Sequence, residues 1–438
     1  MKKTKKKLNG KALIVKTSFS GSNITKYAGL NGLARYMNRE GLTKSIGSLF
    51  PTHWHNATKF GTDQILTAIV LASMSGVNRV NKIAAFSGDG LVRTLLRLGK
   101  GINADAISGT LKRLGENGAR RLQAMLLSKN SKWLGAGGLK KITLDADSTV
   151  RTVHGDQQGA EKGYNPGKKG AKSYHPLLVF VGEMKLLYHS WFRTGSAYTS
   201  NGIVDFLREV EASLPKGIEK VFFRADSGFF SGKLFDLLEG YRWDYLVKVK
   251  LKGLKKLLEA QKWTMADVER DIAVCEFTYR AKGWEKARTL RAIRTVKEYV
   301  GVEFLGVPDT VPVYQYACYA SSYDKGAAEL HGLYKQRSTS ETWIEQVKGH
   351  TMAGGTVTQD FWANDILWQL AVLAYNISVM ARRKKERFKR QEHRTFIDWF
   401  VAVPARITRS GRRIELKMYE RHFHRDDWEE LDRLLAAA

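Results

Sequence analysis

KKITLDADST, residues 140–149, marks the point where a helical pattern gives way to strands. Ile142, Leu144 and Ala146 alternate with Thr143, Asp145 and Asp147, the period of two of a strand with one face on a core. Downstream, apolar runs at 177–181 and 185–191 are separated by Gly182 and Glu183, which predicts a hairpin. Residues 201–214 then form an amphipathic helix with Ile203, Phe206, Leu207 and Val210 on one side. The strand Val221, Phe222, Phe223 follows and ends at Asp226, before the turn Ser227-Gly228. Residues 234–238 restart a helix and 245–249 a strand. Three strands, a helix, a strand, a helix and a strand is the order of an RNase H-like α/β domain.

Upstream, the chain to residue 138 is mostly helical. Thr62 can cap a helix with Ile65, Leu66, Ile69, Val70 and Met74 at helical spacing, and Ile107, Leu111 and Leu114 repeat the pattern over 104–114. Lys112 and Arg113 are left exposed there, which suits a DNA groove and a packing domain equally. The pair His53-x-His55 reads as surface histidines. Beyond 250 the alternation of strand and helix is lost. Stretches 275–279, 290–294 and 313–318 read as strands between charged turns, a β-rich insertion. A buried helix is expected over 364–380, and a small hairpin over 405–417 turning at Ser410-Gly411.

Lys and Arg number 72 against 43 acidic residues in 438, a formal charge of +29 with a pI near 9.9. Such an excess, spread along the chain, draws polyanions, nucleic acid first among them. With only Cys275 and Cys318, the fold rests neither on disulfides nor on structural zinc, which fits a reducing cytoplasm. The start is charged like a signal n-region, but its apolar run, 12–15, is too short for a signal peptide. The most apolar long segment, 366–380, is broken by Gln369, Asn376 and Ser378, so no membrane span is expected. The Gly- and Lys-rich loop at 159–174 lacks a nucleotide-triphosphate pattern and reads as a solvated hairpin or a backbone contact for nucleic acid.

Residues 334–348, YKQRSTSETWIEQVK, read as one helix. Tyr334, Arg337, Glu341 and Lys348 then share an arc of about 60° along about 21 Å of helix. Arg337 and Glu341 also have ordinary salt-bridge spacing. Combined with the fold, the acids fall in order: Asp147 on the first strand, Asp226 at the carboxyl end of a later one, and Glu341 on the helix after the insertion. That strand edge is where ligands bind in open α/β sheets. Phosphoryl transfer on DNA uses two divalent ions roughly 4 Å apart, held by hard oxygen ligands. Asp145 shares the strand face of Asp147, and Glu345 lies four residues beyond Glu341, so spacing alone leaves both pairs open.

With these residues in place, the chain resembles a bacterial insertion-sequence transposase of the DDE superfamily, from the group with a Y-x-x-R-x-x-x-E-x-x-x-x-x-x-K signature. Tyr334, Arg337, Glu341 and Lys348 fit that signature without a gap, and D-S-T at 147–149 and D-S-G-F at 226–229 are similar to the group. The resemblance covers about 140–380. It implies a catalytic, metal-holding triad of Asp147, Asp226 and Glu341, served by Mg²⁺ or Mn²⁺, with Tyr334, Arg337 and Lys348 on the phosphates of the transposon end. It favours Glu341 over Glu345; Asp145 against Asp147 stays open. The implied partners are double-stranded DNA, both transposon ends and target, and a second copy in a homodimeric synaptic complex, in a cytoplasmic, nucleoid-associated setting without a membrane. Some members hold a flipped base on an aromatic residue of the insertion; Trp263 and Trp284 are available here, with core packing the favoured reading of each.

The expected divisions are a helical DNA-binding domain at 1–138, an RNase H-like catalytic core at 139–250 and 322–385, a β-rich insertion at 251–321, and a C-terminal region with a small hairpin at 386–438. Two other functions fit the same pattern: a catalytically silent DNA-binding protein, and an RNase H-like nuclease without strand transfer.

Overall fold

A computed structural model describes residues 18, 21–50, 60–198, 200–304, 307–354, 358–411 and 413–437; His53, His55 and the signal-like start lie outside them. The first part is built around two helices, α1 (Thr62–Met74) and α2 (Ala104–Ala136). Asn103 caps α2, its side chain accepting the Ala106 N–H at 2.9 Å. The helix expected at 104–114 continues well past that point. It bends at Gly115, whose φ of +54° is a conformation that favours glycine.

The alternation at 142–147 becomes β1 (Lys141–Ser148), followed by β2 (Leu177–Val181), β3 (Leu186–Trp191), β4 (Lys220–Ala225) and β5 (Asp244–Lys248). These lie in the order β3-β2-β1-β4-β5. β4 runs parallel to β1 and β5 parallel to β4, while β2 and β3 form the expected antiparallel hairpin beside β1. Parallel neighbours need crossovers. Helices α3 (Ile203–Ser213) and α4 (Gly232–Gly240) supply them, α3 burying the same Ile203, Phe206, Leu207 and Val210 that its spacing predicted.

The stretch expected as an insertion contributes β6 (Thr264–Asp267), β7 (Ile272–Tyr279), β8 (Arg288–Phe304) and β9 (Val307–Ser321). These strands continue the same sheet, because β9 pairs with β5 through Tyr319↔Lys248, Ala320↔Val247 and Ser321↔Leu246. The result is one nine-stranded sheet, β6-β7-β8-β9-β5-β4-β1-β2-β3. Cys275 and Cys318 are both buried and free. Each is the strand partner of Ala292, one from either side, so about 10 Å of sheet separates them, beyond the reach of a disulfide.

The chain returns through α5 (Ala327–Lys335), α6 (Ser338–His350) and α7 (Phe361–Arg382). The single helix expected over 334–348 is therefore two, broken at Gln336–Arg337. Three consecutive hydroxyls explain the break. Ser338 Oγ, Thr339 Oγ1 and Ser340 Oγ donate to the carbonyls of Lys335, Gln336 and Arg337 at 2.8, 2.8 and 2.7 Å. Those bonds compete with the helical ladder, and the backbone tightens to i→i−3 bonds at Arg337, Thr339 and Ser340.

α7 is buried along most of its length and packs on α1, α2 and β3. Its buried amides are paired. Asn376 Nδ2 donates to Asn130 Oδ1 at 3.1 Å and to the Leu187 carbonyl at 2.8 Å, and its Oδ1 accepts the Leu187 N–H at 3.1 Å. An amide left unpaired there would cost about 1–3 kcal/mol. Around α7 a single apolar cluster runs from Tyr27 to Leu435, crossing the expected boundary at 138. The C-terminal hairpin forms from Ala405–Ser410 and Arg413–Met418, and Ile24–Thr25 adds a third strand. Among the described residues no helix is long and apolar enough to cross a membrane.

Candidate active site

The register of two parallel strands places the first two acids. Ala146 of β1 pairs with Ala225 of β4, so the next residues, Asp147 and Asp226, emerge side by side at the carboxyl ends of neighbouring strands. Asp226 stops its strand by accepting the Gly228 N–H at 2.9 Å, which starts the turn Ser227–Phe229. Asp147 is buried, its Oδ1 accepting the Ser148 N–H at 2.8 Å. Glu341 lies exposed in the first turn of α6. Burial pushes the Asp147 carboxyl up to about 6; Arg337 opposes this, while Asp226 and Glu341 add to it by like-charge repulsion. The same three acids act on the half-buried Tyr334 hydroxyl, which burial holds above its ordinary range. Asp147, Asp226, Glu341, Tyr334 and Arg337 are thus brought together.

Asp145 has a different environment. It is fully buried, and both its oxygens are taken by Arg224, from Nε at 2.7 Å and Nη2 at 2.8 Å. Glu345 is exposed on α6, where it raises the pKa of Lys348 against the larger effect of burial.

The two cations expected at phosphates are engaged within the chain. Arg337 is only 4% exposed; its Nη2 donates to Asp147 Oδ2 at 2.7 Å and to the Ala146 carbonyl at 3.3 Å. The tightened backbone between α5 and α6 is the segment that carries it. Lys348 Nζ donates to Thr149 Oγ1 at 3.1 Å and to the Val150 carbonyl at 2.8 Å, tying α6 to the segment after β1, and burial lowers its pKa. Tyr334 packs its ring 4.9 Å from Tyr319 of β9. Trp284 is a core residue, with ring neighbours Phe230 and Phe235 at 5.3 and 5.6 Å. Trp263 is half-buried, its Nε1 donating to the Leu258 carbonyl at 2.9 Å.

Two site residues escaped the sequence reading. His175 is buried beside β1; one ring nitrogen lies 2.6 Å from the Ala197 carbonyl and the other 3.0 Å from Ser148 Oγ. With Nδ1–H donating to that carbonyl, Nε2 accepts the Ser148 hydroxyl, one residue from Asp147. Burial lowers the His175 pKa, keeping this tautomer neutral, while Asp226 acts in the opposite direction. Arg224 is the second. Its signal was present: a guanidinium in the apolar strand Val221 to Ala225 needs a buried carboxylate partner.

A cavity of about 700 Å³ opens beside Glu341 and Arg337, lined also by Lys248, Gln315, Tyr319, His331 and Tyr334. The three acids offer hard carboxylate oxygens, the donor type of Mg²⁺ and Mn²⁺, and their mutual repulsion is what a divalent cation relieves. In kind, the donors fit such an ion. Among the described residues, however, no three His, Cys, Asp or Glu side chains stand ready as a ligand cage. Asp147 Oδ2 faces Arg337.

The family model described as "Transposase DDE domain group 1" matches residues 8–437. No curated protein matches the chain. Among solved structures it is similar to the piggyBac transposase synaptic complex with hairpin DNA, at 13% identity and a TM-score of 0.46, covering 84% of this chain and 78% of that one. It is similar also to the Mos1 transposase paired-end complex with left transposon end, at 11% identity and a TM-score of 0.18, covering 44% and 60%. The Mos1 strand transfer complex gives 11% identity and a TM-score of 0.17, with 44% and 59% covered.

Proposed function

The chain belongs to the group 1 DDE transposases, and from that premise we propose that it cuts DNA at the terminal inverted repeats of an insertion sequence and joins the freed ends to target DNA. The observation that carries this reading is the pairing of Ala146 with Ala225, which sets Asp147 beside Asp226 within electrostatic reach of Glu341. The strand order β3-β2-β1-β4-β5, with β2 reversed, supports an RNase H-like core. The charge of +29 supports DNA as the partner.

In this reading Asp147, Asp226 and Glu341 are the catalytic residues and would hold Mg²⁺, or Mn²⁺ in its place. Bound there, the ion would supply Lewis acidity at the scissile phosphate and lower the pKa of the attacking water or hydroxyl. In hydrolysis the oxygen of water bonds to phosphorus and the P–O3′ bond breaks, leaving a 3′-OH. That hydroxyl then attacks a target phosphodiester and displaces its 3′ oxygen. Tyr334, Arg337 and Lys348 contact the phosphates of the transposon end, Arg337 exchanging Asp147 for a phosphate when DNA binds. Two copies pair two ends, and the setting is the nucleoid of a bacterial cytoplasm.

The test uses a plasmid carrying the ends that flank the gene. Asp147→Asn, Asp226→Asn and Glu341→Gln should each lower Mg²⁺-dependent cleavage by about 10³-fold or more, the several kcal/mol that a metal-held charge contributes. DNA affinity should change little. Cleavage that survives all three substitutions overturns the reading. Cleavage by the wild type without joined product would reduce it to a nuclease.

A further inference from the structure

Arg224 and Asp145 sit directly opposite each other in the register of β4 and β1. Each lies two residues before an acid of the site: Asp145 before Asp147, and Arg224 before Asp226. Side chains two apart along a strand share a face, so the pair stands directly behind the two acids. Arg224 is 6% exposed and Asp145 fully buried. The guanidinium grips both carboxylate oxygens, at 2.7 and 2.8 Å, a planar fork that fixes angle as well as distance. Its remaining nitrogen, Nη1, donates to the Leu333 carbonyl at 2.7 Å. Leu333 is near the end of α5, one residue before Tyr334; the junction that follows carries Arg337, and the first turn of α6 beyond it carries Glu341.

A single side chain therefore ties together β4, to which it belongs, β1 through Asp145, and α5, the helix that leads into α6, through Leu333. A lysine reaching the same place is one point charge and lacks the fork. Resting on the transposase reading above, we infer that Arg224 is a positioning residue that sets the spacing of Asp147, Asp226 and Glu341 through Asp145 and the Leu333 carbonyl. It touches neither substrate nor cation. A support of this kind acts on metal affinity and rate.

The test measures the full chain in three ways: thermal melting, Mn²⁺ binding followed by electron paramagnetic resonance of the free ion, and Mg²⁺-dependent cleavage of the plasmid carrying the flanking ends. Arg224→Lys keeps the charge and loses the fork. Because removing one partner of a buried ion pair leaves an uncompensated charge that threatens folding, the second variant is Asp145→Asn with Arg224→Gln, neutral on both sides. Both variants should melt near the wild type. Mn²⁺ affinity should weaken by about 10- to 100-fold, and the Mg²⁺ concentration for half-maximal cleavage should rise in step.

Unchanged Mn²⁺ affinity and cleavage in a folded double variant overturn the inference. So does a loss of cleavage that follows melting temperature alone with no change in metal dependence. Failure of the transposase reading looks different: the wild type, too, would cut no DNA, or would cut it independently of Asp147, Asp226 and Glu341.

Discussion

Asp365 sits in the first turns of α7 with 6% exposure, and its Oδ1 accepts one hydrogen bond, from Gln369 Nε2 at 3.0 Å. Burial pushes its carboxyl up to about 7, against the partial relief of Gln369 and the more distant Arg120. Because the folded value lies above the unfolded one, the native state holds a proton that the unfolded chain releases. The stabilisation is complete below the unfolded value near 4 and is lost as pH rises toward 7. Asp365→Asn keeps the shape and removes the titration. Its stability should exceed that of the wild type by roughly 4 kcal/mol at about pH 8, with the gap closing near pH 4. Denaturant melts at the two pH values check this; a constant gap would contradict it. The spacing in the sequence puts Asn364 and Asp365 at the very start of the buried helix expected over 364–380. The helix begins earlier, at Phe361, so both lie about a turn further in and the core encloses them. Residue-level patterning of this kind shows the apolar face of a helix. It does not show which polar side chains a neighbouring element will enclose.

At the scale of elements, the strand alternation at 142–147 and the helical spacing at 203–210 were legible because burial on one face imposes a period. The break between α5 and α6 was not, since Ser338, Thr339 and Ser340 are as compatible with a helix surface as with a tightened turn. The deciding bonds run from hydroxyl to backbone, and a hydropathy pattern does not see them. Ser338→Ala with Thr339→Ala, both exposed, removes two of those bonds and leaves the buried Ser340 in place. Alanine favours a regular helix by about 0.5 kcal/mol per site. The variant should therefore melt slightly higher while α5 and α6 run toward one helix and draw Arg337 away from Asp147. Cleavage should fall by about 10-fold, because small misplacements near reacting groups are costly. Paired melting and cleavage assays decide it, and equal or faster cleavage counts against a role for the break.

For the molecule as a whole, the charge of +29 makes the strongest claim about behaviour. If six or more phosphates are neutralised, affinity for double-stranded DNA should fall by about 10³-fold or more between roughly 50 and 200 mM salt. Fluorescence anisotropy on a short duplex measures the slope, and a flat response would remove DNA as the partner. The order of elements was readable across the first five strands, β1 to β5, because the hairpin shows as two apolar runs around a turn and each crossover to a parallel strand announces itself as a helix. What the sequence could not reveal was where the strands after Leu251 would pair. A strand edge carries no local mark of its partner, and the three pairs joining Ser321, Ala320 and Tyr319 to β5 connect residues more than 70 positions apart.

That junction has a further consequence. With β9 in place, the backbone N–H and C=O groups along the outer side of β5 are spent on a neighbouring strand. Trimmed of residues 251–321, the same groups would lie open beside a row of apolar side chains, Tyr245, Leu246 and Val247, and offer a ready template to any other chain. Whatever these strands bring to DNA, they also guard the protein against aggregation, and shortened versions of the chain will be limited by solubility before they are limited by activity.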